Sequence, residues 1–120
     1  MELIHSYTRK QAIEDGFLID VSEIAKEAGI ILPVAISNSI WSGFIQPPGA
    51  VANYQDCEGR LWDVLNCLRF AASKTSGDTV TFLVAFQMDE QVQKDVMLKA
   101  SCGPGDNAEP VITLMLPGED

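Results

Sequence analysis

The feature that most constrains the fold is the run over residues 79–88, in which large apolar residues at every even position alternate with the set Thr79, Thr81, Leu83, Ala85 and Gln87. A period of two is typical of a β-strand with one strongly apolar face. Residues 96–100 and 112–116 repeat the pattern, and the connections between the three segments are short. Because short connections allow antiparallel pairing but no helical crossover, we predict a three-stranded antiparallel meander.

Short helices are predicted ahead of the meander. Thr8 and Gln11 have the spacing of a capping box and Gly16 supplies a stop, which indicates a helix over 8–15, followed by an extended segment over 17–20.

Ser22 as a cap and Gly29 as a stop predict a second helix between them, with Ile24 and Ala25 or Ala28 facing inward. Pro33 suits the first position of a third helical stretch through Trp41.

The central helix has the clearest amphipathic pattern. Residues 46–54 contain paired prolines and a glycine and are predicted to form a loop, after which helix resumes near Gly59. One face carries an apolar stripe and the other gathers polar residues; the stripe is Leu61, Leu65, Leu68 and Ala72, and the polar set is Arg60, Asp63, Asn66 and Arg69. Helices followed by strands predict an α+β fold, with short N-terminal helices and this central helix packed on the meander, in one domain over residues 1–120.

The segment CGPGDNAEP, residues 102–110, raises the question of a phosphate-binding loop. Such a loop needs a lysine and a serine or threonine after its glycines and then a helix, whereas this segment carries two acids and is followed by the strand-like PVITLML. We therefore predict a strand-to-strand loop in which Gly103 and Gly105 adopt unusual backbone angles.

The three cysteines, Cys57, Cys67 and Cys102, are odd in number and have no paired spacing, so we expect reduced and mostly buried thiols. A nucleophilic Cys102 would need a base beside it, and nothing in the sequence brings His5, the single histidine, to it. The same spacing argues against a zinc site built from His5 and the cysteines. No pattern predicts a cofactor.

Charge decides which partners are plausible. The net charge is −9, which disfavours direct binding to nucleic-acid phosphates, and no segment is apolar enough to suggest a membrane span or a leader, so we expect a cytoplasmic protein. Acidic residues concentrate in two regions with few bases. The candidate partner-binding residues are Glu14, Asp15, Asp20, Glu23, Glu27, Asp106 and Glu109. They either keep the protein soluble or attract a basic partner.

The side of the predicted sheet that faces away from the central helix is unusually apolar. This second face carries Leu83, Ala85, Met97, Val111 and Met115 beside Lys99 and several threonines. Either the N-terminal helices or another protein molecule should cover it.

Four segments, read in order, resemble a family of uncharacterised bacterial proteins carried on plasmids, phages and other mobile elements. They are SYTRKQAIEDGFLIDVSEIAKEAG, PVAISNSIW, GRLWDVL and LKASCGPGDNAEPVITLMLPGED. The resemblance supplies no activity and no catalytic residue. It implies a setting in which small acidic proteins often inhibit host defence, as anti-CRISPR or anti-restriction proteins that occupy basic nucleic-acid channels.

Three hypotheses follow. The first is a non-enzymatic inhibitor that binds a basic surface of a host protein or ribonucleoprotein complex. The second is a small enzyme or ligand-binding protein whose polar groups converge only in three dimensions, around Tyr7, Trp41, Asp63 and Arg60. The third is a structural homodimer that pairs through its sheet.

Overall fold

The computed structural model of the chain describes residues 7–46, 49, 56–89 and 91–119. Short helices and strands alternate in the first part, and one long helix precedes the remaining strands. The elements are α1 (Arg9–Glu14), β1 (Leu18–Asp20), α2 (Ser22–Glu27), β2 (Val34–Ser37), α3 (Asn38–Ile40), a π-helical turn (Trp41–Ile45), α4 (Cys57–Ala72), β3 (Thr79–Gln87), β4 (Gln93–Pro104) and β5 (Pro110–Met115). The fold is α+β, as the sequence predicts.

A single five-stranded mixed sheet has the strand order β1-β2-β5-β4-β3. The last three strands, β3, β4 and β5, pair antiparallel, each with the next along the chain. The prediction that the sheet has only three strands is wrong, because β1 and β2 extend it. Strand β2 lies parallel to β5, with Val34 opposite Ile112. The sheet therefore pairs a strand from the first part of the described chain with its last strand.

Strand β2 replaces the helix predicted over 33–41. All four of its residues are buried, so it shows no alternation, and Val34 and Ile36 pack in the main core. Pro33 lies just ahead of this strand, and its carbonyl accepts a hydrogen bond from Ile112 N at 2.8 Å. Helical structure begins only after Ser37, whose hydroxyl accepts from Ile40 N at 3.4 Å.

The predicted helix α1 is confirmed together with its capping box, and Gly16 follows it at φ +84°. Helix α2 is confirmed as well, with Ala25 and Ala28 buried. Ser22 is not its cap. Val21 holds that position, and the Ser22 hydroxyl instead accepts from Val34 N at 3.0 Å, which ties α2 to β2.

Helix α4 packs on the core side of β3. Its stripe is confirmed at Leu61, Leu65 and Leu68, which are buried, while Ala72 at the helix end is exposed. Arg60 is only 4% exposed, so the prediction that it lies on the solvent side of α4 is wrong. Its long apolar stem reaches the core edge while its guanidinium bonds to backbone.

The CGPGDNAEP segment does connect two strands, but its first and last residues belong to β4 and β5. The turn closes through Gly105 N donating to Glu109 O at 2.6 Å. Its left-handed residue is Ala108, at φ 64°, so the prediction that Gly103 and Gly105 supply the unusual angles is wrong. Most of the loop predicted over 46–54 lies outside the described residues.

The second face of the sheet is partly covered by the chain itself. Val111 and Ala35 are buried there, beside the place where Arg9 of α1 donates to Thr113. On the same face near the β3 edge, Leu83 is 57% exposed and Met97 is 42% exposed. The N-terminal helix therefore covers one part of the second face and leaves the β3–β4 part open.

Candidate protein-binding surface

Helix α1 is fixed to the turn between β4 and β5 by one carboxylate. Asp106 Oδ1 accepts from Arg9 N at 2.9 Å and Asp106 Oδ2 accepts from Lys10 N at 3.0 Å. These bonds occupy N–H groups that the first turn of a helix leaves without intrahelical partners. The hydrogen bonds from Lys10 N and Arg9 N lower the pKa of Asp106 below its ordinary value.

The side chain of Arg9 anchors the same helix to the sheet. Its Nη1 donates to Thr113 Oγ1 at 2.7 Å, and its Nη2 donates to Ile112 O at 2.8 Å. Burial lowers the pKa of Arg9, and three nearby carboxylates, those of Asp20, Asp106 and Glu109, oppose that shift. Three of the predicted acidic residues therefore surround one half-buried arginine.

Two exposed aromatic rings flank α1, one just before its first turn and one just after its end. Tyr7 is 54% exposed and Phe17 is 64% exposed, and their ring centroids are 6.1 Å apart in an edge-to-face arrangement. The Tyr7 hydroxyl donates to Asp15 Oδ2 at 2.5 Å, and this hydrogen bond raises the pKa of Tyr7 to about 12. Glu14 is the last residue of α1, next to Asp15.

We call Tyr7, Glu14, Asp15 and Phe17 the aromatic–acidic patch. Exposed aromatic side chains with a polar rim are the usual composition of an interface hot spot, since the rings bury a large area with little loss of rotamer freedom. The edge-to-face contact and the Tyr7–Asp15 hydrogen bond join the two rings and one carboxylate. The patch is therefore a contiguous cluster on the surface of the protein.

The remaining predicted acidic residues belong to α2, and Glu23 lies in a different setting from α1. It lines a cleft of about 360 Å³ together with Asp20, Glu58 and Trp41. Asp20 Oδ1 is fixed by Ser22, which donates from its N at 3.0 Å and from its Oγ at 2.6 Å. Asp20 thus belongs both to this cleft and to the surroundings of Arg9.

The cleft combines carboxylates with an apolar wall. Three carboxylates line it beside the half-buried ring of Trp41, and aliphatic side chains complete the wall: Ile19, Ile24 and Leu61. This composition suits a cation carried on an apolar stem, such as a lysine or arginine side chain, because the indole face and the carboxylates both attract positive charge. Trp41 begins the π-helical turn, a type of distortion frequent at functional sites.

Of the four residues proposed for a convergent site, Arg60 and Asp63 line one cavity of about 180 Å³, whereas Tyr7 and Trp41 lie elsewhere. Tyr7 bonds to Asp15, and Trp41 lines the acidic cleft. Arg60 donates from Nε to Phe44 O at 2.7 Å and from Nη1 to Gln87 O at 2.8 Å, with its guanidinium 5.3 Å from the Phe86 ring centroid. Burial lowers the pKa of Arg60, and Asp63 opposes that shift.

All three cysteines are free thiols and each is half-buried, less than the sequence predicts. Cys102 lines a cavity of about 80 Å³ on the core side of β4, beside Leu68 and Val80. Burial raises the pKa of the Cys67 thiol, and Asp63 adds to the shift. His5 lies outside the described residues, and within the described part no three histidine, cysteine or acidic side chains are grouped to hold a metal ion.

The described part of the chain contains no helix long and apolar enough to cross a membrane. Fold and surface together define a small acidic α+β protein with an exposed aromatic–acidic patch. The chain belongs to the family described as a family of unknown function, DUF6573, which matches residues 1–120. No curated protein and no solved structure matches it significantly.

Sequence reasoning selects the acidic residues, whose role in binding stays a prediction, and misses the aromatic pair and the cleft. A signal for the pair was present, because Tyr7 directly precedes the predicted cap Thr8 and Phe17 directly follows the predicted stop Gly16. A helix of six residues is only about 9 Å long, so large side chains at its two ends can meet. The cleft had no comparable signal, since it joins Trp41 and Glu58 to α2.

Proposed function

We propose that this protein is a non-enzymatic binding module that docks onto a basic surface of another protein through its aromatic–acidic patch. The observation that carries the proposal is the exposed Tyr7–Phe17 ring pair with the Asp15 carboxylate fixed beside it. The rings supply apolar area to bury at the centre of the contact. The acidic residues supply orientation and a fast encounter with positive charge.

The net charge of −9 supports a basic protein rather than a nucleic acid as the partner. Enzymes that handle nucleic acids carry the required basic channels, and those channels are the surfaces that an acidic protein can occupy. The resemblance to proteins of mobile elements supports a host defence complex of the CRISPR or restriction type as the target. In this proposal the protein acts in the cytoplasm and inhibits by occupying such a channel.

The first experiment identifies the partner. The tagged full-length chain is used to capture proteins from a bacterial host lysate, and the captured proteins are identified by mass spectrometry. Binding of the purified partner is then measured by surface plasmon resonance.

Phe17→Ala should weaken this binding about tenfold or more, because a hot-spot side chain contributes about 2 kcal/mol or more. The matched control is Ile31→Ala, since Ile31 is also highly exposed and lies outside the patch. Unchanged affinity of Phe17→Ala, or equal losses in both variants, would contradict the proposed surface.

Ionic strength tests the electrostatic part of the proposal. Exposed charges more than about 8 Å apart are largely screened at physiological ionic strength, so association with a basic surface should slow as salt rises. An association rate that does not change with salt would leave only the aromatic contact as an explanation.

A second candidate function is recognition of a small cationic ligand in the acidic cleft, favoured by the combination of Trp41 with three carboxylates. Its test is calorimetric titration with arginine, putrescine and choline, which share positive charge and differ in shape. Binding that Trp41→Ala abolishes and Phe17→Ala leaves unchanged would support this candidate over the protein-binding function. An absence of heat with all three compounds would refute it.

A further inference from the structure

Strand β3 forms one edge of the sheet and lacks the features that usually protect such an edge. Its nine residues, TVTFLVAFQ, contain no charge and no proline. Its register with β4 is continuous from Thr79 to Gln87, without a bulge. Natural edge strands are commonly blocked by charge, proline, a bulge or short length, because an open edge is a template for pairing with another strand.

The hydrogen bonds at both ends of the β3–β4 ladder identify which backbone groups face outward. Cys102 N donates to Asp78 O at 2.7 Å, and Met88 N donates to Val92 O at 2.9 Å. Even-numbered residues of β3 therefore bond to β4, and odd-numbered residues direct their N–H and C=O groups to the edge. Gln87 O agrees with this assignment, because it accepts from Arg60 Nη1 at the edge.

The guanidinium of Arg60 thus closes the edge at Gln87. Within the described part of the chain, the backbone groups of Thr79, Thr81, Leu83 and Ala85 remain open at this edge. This set is symmetric about Phe82. If two antiparallel copies of β3 align with Phe82 on a two-fold axis, Thr81 lies opposite Leu83 and Thr79 lies opposite Ala85 of the second copy. Every open backbone group then has a partner, as in an isologous interface.

From this symmetry we infer that a second copy of this chain occupies the β3 edge and that the two sheets join into one continuous antiparallel sheet. On the second face, Leu83 of each copy meets the other diagonally across the new strand pair. These two exposed side chains extend the apolar area that Met97 begins in each copy. The pairing therefore satisfies the backbone groups of the β3 edge and places the two apolar areas side by side.

On the helical side, α4 carries an exposed aromatic ring close to its end. Arg60 and Cys67 are seven residues apart and lie on the same side of α4, which ends at Ala72. Phe70 is 66% exposed, and Lys74 Nζ lies 4.6 Å from its ring centroid.

Net charge gives this dimer a signature that separates it from binding to a basic partner. Two chains of charge −9 repel each other, and salt screens the repulsion, so the dimer should strengthen as salt rises. Partner binding through the aromatic–acidic patch should instead weaken. The patch lies on α1, away from β3, so failure of either proposal leaves the other intact.

The test is sedimentation of the full-length chain over about two decades of concentration at low and high salt, a range that covers weak and tight dimers. We expect a concentration-dependent dimer. Thr81→Pro removes one N–H that β4 does not use and should weaken the dimer about tenfold or more. Leu83→Lys adds like charge beside the axis and should do the same.

Met97→Lys is the matched control, because Met97 lies on the same face one strand further from the axis. It should weaken the dimer much less than Leu83→Lys. Circular dichroism verifies that each variant folds. If Thr81→Pro does not fold, Leu83→Lys still decides the test. A monomer at all concentrations would overturn the inference. Equal effects of Met97→Lys and Leu83→Lys, with none from Thr81→Pro, would also overturn it, because they indicate stacking of the second faces.

Discussion

Phe82 and Leu83 are adjacent residues of β3 on opposite faces of the sheet, and replacing each by alanine tests the packing of α4 on that sheet. Phe82 is 8% exposed and belongs to the main core, whereas Leu83 is 57% exposed. Truncating a buried phenylalanine removes its burial free energy and leaves a cavity, which costs about 3–5 kcal/mol. Truncating an exposed leucine changes the free energy of unfolding by about 0.5 kcal/mol or less.

The predicted loss for Phe82→Ala is a large part of the total. A domain of 120 residues is expected to have an unfolding free energy of about 6–18 kcal/mol. The measurement is urea unfolding followed by circular dichroism and by the fluorescence of Trp41 and Trp62, both of which pack against the core. Dilute protein is used so that any pairing through Leu83 makes no contribution. Equal midpoint shifts for the two variants would refute the assignment of the faces of β3.

Three further predictions concern the acidic residues and a thiol. The pKa of Asp106 is lowered in the folded protein, so the stabilising effect of this carboxylate is present above the ordinary pKa of 3.8 and is lost as pH falls through the folded pKa. The unfolding free energy of Asp106→Asn should therefore differ most from that of the native chain near neutral pH and converge with it in acid. Urea unfolding at several pH values measures this difference. Cys102, in a variant with the other two cysteines replaced by serine, should react with a thiol reagent more slowly than the same thiol in urea, and rapid native labelling would contradict its place on the core side of β4. Reversing Glu23 and Glu27 to lysine should lower the association rate with a basic partner more than it raises the dissociation rate. The fold should survive because both side chains are exposed. Unchanged binding kinetics would exclude α2 from the interface.

Local signals made part of the fold predictable. The capping box of Thr8 and Gln11 specified α1, and the alternation in residues 79–88 specified β3, since one face of that strand is buried and the other is not. Strand β2 gave no such signal, because a strand buried on both faces loses its alternation and the segment after Pro33 then reads equally well as helix. Its parallel pairing with β5 depends on residues far apart in sequence.

The candidate site was predictable to a similar extent. Asp20, Asp106 and Glu109 could be selected from charge alone, but their common proximity to Arg9 depends on the docking of α1 against the β4–β5 turn. Helical periodicity places Arg60 on the solvent side because it treats every charged residue as polar. Its burial depends on carbonyl acceptors at Phe44 and Gln87, which periodicity does not describe.

The position of β5 between β2 and β4 constrains how this chain is made. It is the last of the described strands along the chain, yet it lies at the centre of the sheet. Until residue 115 has left the ribosome, β2 has no partner on one side and β4 has an open edge. Segments synthesised earlier therefore wait with unpaired strand edges, which makes the interval before release the period when the nascent chain is most exposed to misfolding and to chaperones.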